Sequence, residues 1–265
     1  MKIIRFVDEN GQFCSGTHWD GPTAVVAVET PSGGYEATGE RSVVNKLLSP
    51  VAPSAIFCIG LNYRGHAAET GMALPEYPVV FMKNPASVIG HQNSIVLPES
   101  CRKKPQVDYE AELAVVIGRP AKNVAAENAM DYVKGFTVGN DISARIWQKH
   151  GGGGQWVRGK SFDTFCPLGP ELVTPDEIAD ADGLGISLTL NGRVMQQSNT
   201  SDMIFSVSRL IAFLSEDTTL LPDTVILTGT PEGVGFVRNP PVFLKSGDVL
   251  EASIAHIGTL INHVE

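Results

Sequence analysis

The sequence is poor in charge and has no long apolar run. Charged residues make up 18% of its 265 positions, with a hydrophobic share of 43%; an average soluble domain carries about 25% charge. That balance favours one large core and excludes a disordered chain. No stretch approaches the roughly 18 apolar residues of a membrane helix. The opening Met1–Asp8 segment turns acidic before an apolar run develops, so it is not expected to act as a signal peptide. Cysteine is scarce and scattered: Cys14, Cys58, Cys101 and Cys166 form no CxxC pair. Reduced, buried thiols are the expectation, which disfavours structural zinc and a disulfide scaffold and points to the cytoplasm. The net charge of −9, without any Lys/Arg run, also argues against nucleic acid as a partner, because phosphate neutralisation needs a basic surface.

Glycine (27) and proline (17) are plentiful instead, giving many turns and excluding a helical bundle. Residues 1–50 read as a small β-rich domain, with strands at Lys2–Val7 and Thr23–Glu29 and a short helix over Val43–Leu48. Pro50-Val51-Ala52-Pro53 then reads as a linker into a catalytic domain over residues 54–265. That region offers many short strands, among them Ala55–Gly60, Val79–Met82, Ala111–Ile117 and Phe136–Gly139. Helices are expected over Ala125–Val133 and Met203–Leu214, the latter from helical spacing of Ile204, Val207, Ile211 and Leu214. Asn191-Gly192 marks a hairpin turn. The fold class is α+β with mixed sheet.

Gly154–Ser161 matches the phosphate-loop pattern GxxxxGK[ST] letter for letter. The pattern works only between a buried strand and a helix. Here a run of glycines precedes it and Pro167 and Pro170 follow, so the match is accidental.

Two segments together want a cation. In a strand, Glu110 and Glu112 share a face with Cα atoms about 6.8 Å apart. Like charges on a core strand repel unless a cation sits between them. Asp141, at the end of the strand-like Phe136–Gly139, can supply a third carboxylate. An oxygen-only set of this kind suits Mg²⁺ or Mn²⁺. Elsewhere, His66 and Glu69 stand at i, i+3, where a carboxylate can orient an imidazole as a general base. Gly65 and Gly71 beside them suggest a lid.

Taken in order, the segments Ile59–Tyr63 with His66 and Glu69, Tyr109–Leu113, Asn140–Arg145 with Gln148, Gly159–Asp163, Ser201–Phe205 and Ile226–Gly235 resemble the fumarylacetoacetate hydrolase family over residues 55–264. The resemblance implies a mixed β-roll, a homodimer, and Mg²⁺ or Mn²⁺ on Glu110, Glu112 and Asp141. It also implies substrate contacts from Arg145, Gln148, Lys160 and Thr230, and a water-activating dyad of His66 and Glu69. Two departures bear on substrate choice: Leu61 and Asn62 stand where the larger eponymous enzyme has a further carboxylate, and Ile146 follows Arg145 where many relatives have an acid. The expected reaction is hydrolysis of a carbon–carbon bond in an acylpyruvate through a pyruvate enolate, with Lys160 neutralising charge near it. Oxaloacetate decarboxylation and isomerisation of a 2-hydroxy-diene dioate are the alternatives on the same site. A metal-stabilised binding protein without turnover is the alternative from another class.

Overall fold

The computed structural model describes residues 1–265 except Pro31, Ser32 and Pro105. Two sheets face each other across the main core. The larger is mixed and runs, in spatial order, Tyr35–Val43, Thr23–Glu29, Phe13–Thr17, Lys2–Val7, Cys166–Val173, Val133–Asn140, Ala111–Ile117, Val225–Leu227, Ile56–Gly60 and Val79–Lys83. The smaller runs Arg193–Asn199, Gly185–Leu190, Val249–Ile254, Gly258–Val264 and Ser94–Ile95.

Ala111–Ile117 is buried along its whole length and paired on both sides. Its alternation sorts the core. Tyr109, Ala111, Leu113, Val115 and Ile117 join the main cluster between the sheets, whereas Ala114 and Val116 pack on the opposite face with Cys58, Phe81 and Cys166. Glu110 and Glu112 share the parity of Ala114 and Val116, so the strand carries both acids to that second face.

The N-terminal strands extend the larger sheet. Lys2 and Ile3 pair with Val173 and Leu172, and Lys134 ties this edge down through Glu29 at 2.8 Å and Asp223 at 2.9 Å. The helix expected over Val43–Leu48 is instead the end of one strand and a second strand, Lys46–Leu48, laddered onto Arg5–Val7. Six residues with two adjacent valines cannot sustain a helix alone, and a free strand edge offers them hydrogen bonds.

Ala126–Tyr132 is a 3₁₀-helix. The later helix starts at Val207, four residues after the expected start, because Ser206 caps it through Arg209 N while Ile204 N is held by the Asn62 carbonyl at 2.7 Å. Asn191 and Gly192 take positive φ of 53° and 75°, the tight turn that joins Gly185–Leu190 to Arg193–Asn199. The glycine-rich Gly151–Gly154 segment follows a helix, Arg145–His150, and leads into Trp156–Lys160; no strand precedes it, so it cannot cradle phosphate as a strand–loop–helix unit would. All four cysteines are free.

Candidate active site

A cavity of about 460 Å³ opens at the ends of the central strands. One wall carries Glu110, Glu112, Lys160, Arg145 and Gln148, another His66 and Glu69, and the rest is largely apolar, with Leu61, Met72, Val79, Phe81 and Trp156.

Glu110, Glu112 and Asp141 are all buried and offer oxygens within 4.8 Å of one another. Strand pairing explains the convergence. Ala111 lies opposite Asn140, Asp141 N donates to the Glu110 carbonyl at 2.8 Å, and the chain turns there. Cations surround two of the three carboxylates. Lys160 Nζ donates to Glu110 Oε2 at 2.8 Å, Asp141 Oδ2 at 2.5 Å and Ser143 Oγ at 2.8 Å. Lys83 Nζ donates to Asp141 Oδ1 at 2.5 Å and to the Ile142 carbonyl at 3.1 Å. Arg145 Nη2 lies 2.7 Å from Glu110 Oε1 and 2.8 Å from Asp108 Oδ2, though off the hydrogen-bonding direction of either.

Glu112 is different. Among the described residues no lysine or arginine lies within ion-pair distance of it, and it accepts from Gly229 N at 2.7 Å. Burial, then the Asp141 and Glu110 charges, push its carboxyl well above the ordinary range. Burial also penalises Glu110, but the Arg145 and Lys160 charges outweigh that and hold its carboxyl low. Lys160 is lowered by burial and raised further by Asp141 and Glu110, with a net rise. Four carboxyl groups (Asp108, Glu110, Glu112, Asp141) thus face three cations (Lys83, Arg145, Lys160), and Glu112 is the one in surplus, without a cation partner among the described residues. These oxygen donors and that surplus fit a divalent cation.

The dyad is built on helix Arg64–Thr70. His66 Nδ1 meets Glu69 Oε1 at 2.6 Å, and Glu69 Oε2 accepts from Gly233 N at 2.9 Å. Gly65 N donates to Asp202 Oδ2 at 2.8 Å, so the helix is docked at both ends. Behind it, Asn62 staples three segments: its Nδ2 donates to the Phe205 and Thr228 carbonyls at 3.1 and 2.7 Å, and its Oδ1 accepts from Phe205 N at 2.9 Å. Gly229 must be glycine: its φ is +100°, and a Cβ there would stand 2.7 Å from that of Asn62.

Arg145, Gln148 and Thr230 also line the cavity, each with protein partners. Arg145 Nε donates to Asp108 at 2.9 Å and its Nη1 to Gln148 Oε1 at 3.0 Å. Thr230 Oγ1 donates to the Ala111 carbonyl at 2.9 Å and accepts from Gln196 Nε2 at 2.8 Å. Sequence reasoning missed Lys83, Asp108, Ser143 and Gln196. A lysine closing an apolar strand reads as solvated. Asp108, beside the acidic motif, was the readable signal. It accepts from Gly235 N and Phe236 N at 2.8 and 3.0 Å as well as from Arg145.

Fold and site define an α+β enzyme with an acidic centre and an imidazole–carboxylate pair in one cavity. Residues 55–265 match the fumarylacetoacetate (FAA) hydrolase C-terminal family, and the chain belongs to it. It is 48% identical over 224 residues to the mitochondrial oxaloacetate tautomerase Fahd2a of Rattus norvegicus, covering 84% of this chain and 70% of that protein. It is 47% identical over 229 residues to the fumarylacetoacetate hydrolase domain-containing protein 2 homolog of Dictyostelium discoideum, covering 83% and 74%. Among solved structures, 2-hydroxyhepta-2,4-diene-1,7-dioate isomerase from Mycobacterium marinum superposes with a TM-score of 0.83 at 39% identity, covering 100% of this chain and 98% of that one. The 5-carboxymethyl-2-hydroxymuconate delta-isomerase from Mycobacterium smegmatis gives 0.84 at 38%, covering 100% and 99%. Among the described residues, no helix is long and apolar enough to cross a membrane.

Proposed function

We propose that this chain moves a proton on the carbon next to the carbonyl of a 2-oxo acid, and that its reaction is keto–enol tautomerisation of oxaloacetate. The observation that carries the reading is the His66–Glu69 contact at 2.6 Å in the same cavity as Glu110 and Glu112. Glu69 engages Nδ1, which leaves Nε2 as the ring nitrogen that takes a proton from carbon and returns it to oxygen. Similarity to oxaloacetate tautomerases and to isomerases of dioic acids supports a proton transfer over a bond cleavage.

Glu110, Glu112 and Asp141 would hold the divalent cation, Mg²⁺ or Mn²⁺ by the hardness of their oxygens. When bound, the cation supplies Lewis-acid stabilisation of charge developing on the 2-oxo acid. Arg145 and Gln148 orient the acid from one side and Thr230 forms the wall beside them. Lys160 helps hold the Glu110 carboxyl low, donates to Asp141, and adds positive charge where the enol oxygen forms.

Hydrolysis of an acylpyruvate is the second reading, favoured by the apolar wall of Leu61, Met72, Val79 and Trp156, which has room for an acyl tail. His66 would then deprotonate water. The test follows ultraviolet enol absorbance of oxaloacetate and of acetylpyruvate, with Mg²⁺ or with EDTA, while pyruvate is quantified. Loss of the oxaloacetate enol without pyruvate supports the tautomerase; stoichiometric pyruvate from acetylpyruvate would replace it with the hydrolase, and pyruvate from oxaloacetate with a decarboxylase. The buried free thiols Cys58, Cys101 and Cys166 support a reducing compartment such as the cytoplasm, although the rat relative is a mitochondrial protein. The homodimer implied by the family resemblance is a further expectation, tested by sedimentation equilibrium.

A further inference from the structure

Among the described residues, Lys149 is the lysine or arginine of the cavity lining that has no carboxylate partner. Arg145 and Lys160 line the same cavity, but each is buried and already carries two carboxylates: Asp108 and Glu110 on Arg145, Glu110 and Asp141 on Lys160. Among the described residues, Lys149 has no carboxylate within ion-pair distance and no hydrogen bond. It follows Gln148 on the helix Arg145–His150 and stands exposed at the mouth of the cavity.

The ammonium is nevertheless placed. Its Nζ lies 3.5 Å from the centroid of the Phe236 ring, a cation–π contact that holds it over the opening. Phe236 is fixed in turn, because its N–H donates to Asp108 Oδ2 at 3.0 Å. The Arg145 guanidinium stands 4.5 Å from the same ring, so two positive groups share one aromatic ring, and only one of them is neutralised. Burial, then the Arg145 charge, lower the Lys149 ammonium below its ordinary value. The opposite charge of an anion arriving at the mouth would offset both penalties.

We infer that Lys149 is a specificity-determining residue that receives the second carboxylate of a dioic 2-oxo acid, at the end of the molecule away from the acidic centre. This rests on the 2-oxo acid reading above and deepens it. The inner end of the substrate meets cations already spoken for by the protein, whereas the outer end meets one that is free. An uncharged tail would forgo that contact. A charged tail would gain an ion pair on a lysine whose position the Phe236 ring already limits.

The test is calorimetric binding to the Mg²⁺-loaded protein, using two matched pairs: oxaloacetate with its 4-methyl ester, and 2-oxoadipate with its 6-methyl ester. Each ester keeps the 2-oxo acid and removes the distal charge. Wild-type protein should prefer the diacid of at least one pair by about five- to tenfold, the weight of one partly exposed ion pair. Lys149→Met should erase that ratio by weakening the diacid, and Lys149→Arg should retain it. Circular dichroism checks that the variants are folded. A wild-type ratio near one in both pairs, a ratio unchanged in Lys149→Met, or equal weakening of acid and ester would each overturn the role. The readout is affinity and not product formation. A Lys149-dependent preference without tautomerisation would therefore remove the proposed reaction and leave this inference standing.

Discussion

Glu112→Gln should stabilise the metal-free protein and abolish its response to a divalent cation. The Glu112 ligand oxygen lies within 4.8 Å of those of Glu110 and Asp141. At an effective dielectric constant of about 20, one such like-charge pair costs about 3.5 kcal/mol. Two pairs double that and Lys160 offsets part of it, but proton uptake sets a ceiling. A carboxyl with an unfolded value near 4.3 can cost no more than about 3.7 kcal/mol at pH 7, because beyond that it binds a proton instead. The amide keeps the shape, and its oxygen can still accept the Gly229 N–H that now reaches Glu112 Oε2 at 2.7 Å. A net gain of about 1–3 kcal/mol follows, which for a chain of this size raises the midpoint by roughly 3–9 °C. The assay is thermal unfolding by circular dichroism at pH 7, with EDTA and with Mg²⁺. Wild-type protein should gain stability with Mg²⁺ and the variant should not. A metal-free variant less stable than wild type would refute the reasoning, since it would mean that Glu112 is an ordinary, satisfied buried carboxylate.

Other outcomes follow from the same geometry. His66→Ala should lower turnover by about 10²- to 10⁴-fold with Mg²⁺ affinity nearly unchanged, and Glu69→Gln should fall between; lost metal affinity would contradict the base assignment. Lys83→Met strips one cation from Asp141, where both side chains are 0% exposed, and should cost about 3–5 kcal/mol in urea unfolding. Mg²⁺ binding should release a proton, read by calorimetry in buffers of different ionisation enthalpy. The sign follows from the raised Glu112 carboxyl. Its penalty on the metal-free fold is absent below the unfolded value near 4.3 and grows as pH rises to the folded value. Proton release should therefore fade above the folded value; release that grows with pH would be inconsistent with it.

The parts of the site that the sequence announced are those with local periodicity. Alternation along Tyr109–Leu113 puts Glu110 and Glu112 on one face, and helical spacing joins His66 to Glu69. What stayed hidden depends on pairing between distant segments. Lys83 reaches Asp141 across 58 positions and Arg145 reaches Asp108 across 37, and no periodicity encodes either pair. Glu69 was legible as a partner of His66, but its second hydrogen bond, from Gly233 N, spans 164 positions. The Val43–Leu48 segment was misread because its fate depends on the open edge of Lys2–Val7 rather than on its own residues. Lys149 was invisible for a similar reason: one exposed lysine in a polar helix acquires meaning only once Phe236 is placed under it.

The most direct test of the central reading is exchange of the C3 protons of oxaloacetate for deuterium, followed by nuclear magnetic resonance in D₂O. With Mg²⁺, wild-type protein should accelerate exchange above the rate with the metal alone and form no pyruvate, and His66→Ala should return the rate to that background. Exchange no faster than background, or exchange only in step with pyruvate formation, would contradict proton transfer by the His66–Glu69 pair as the function of this site.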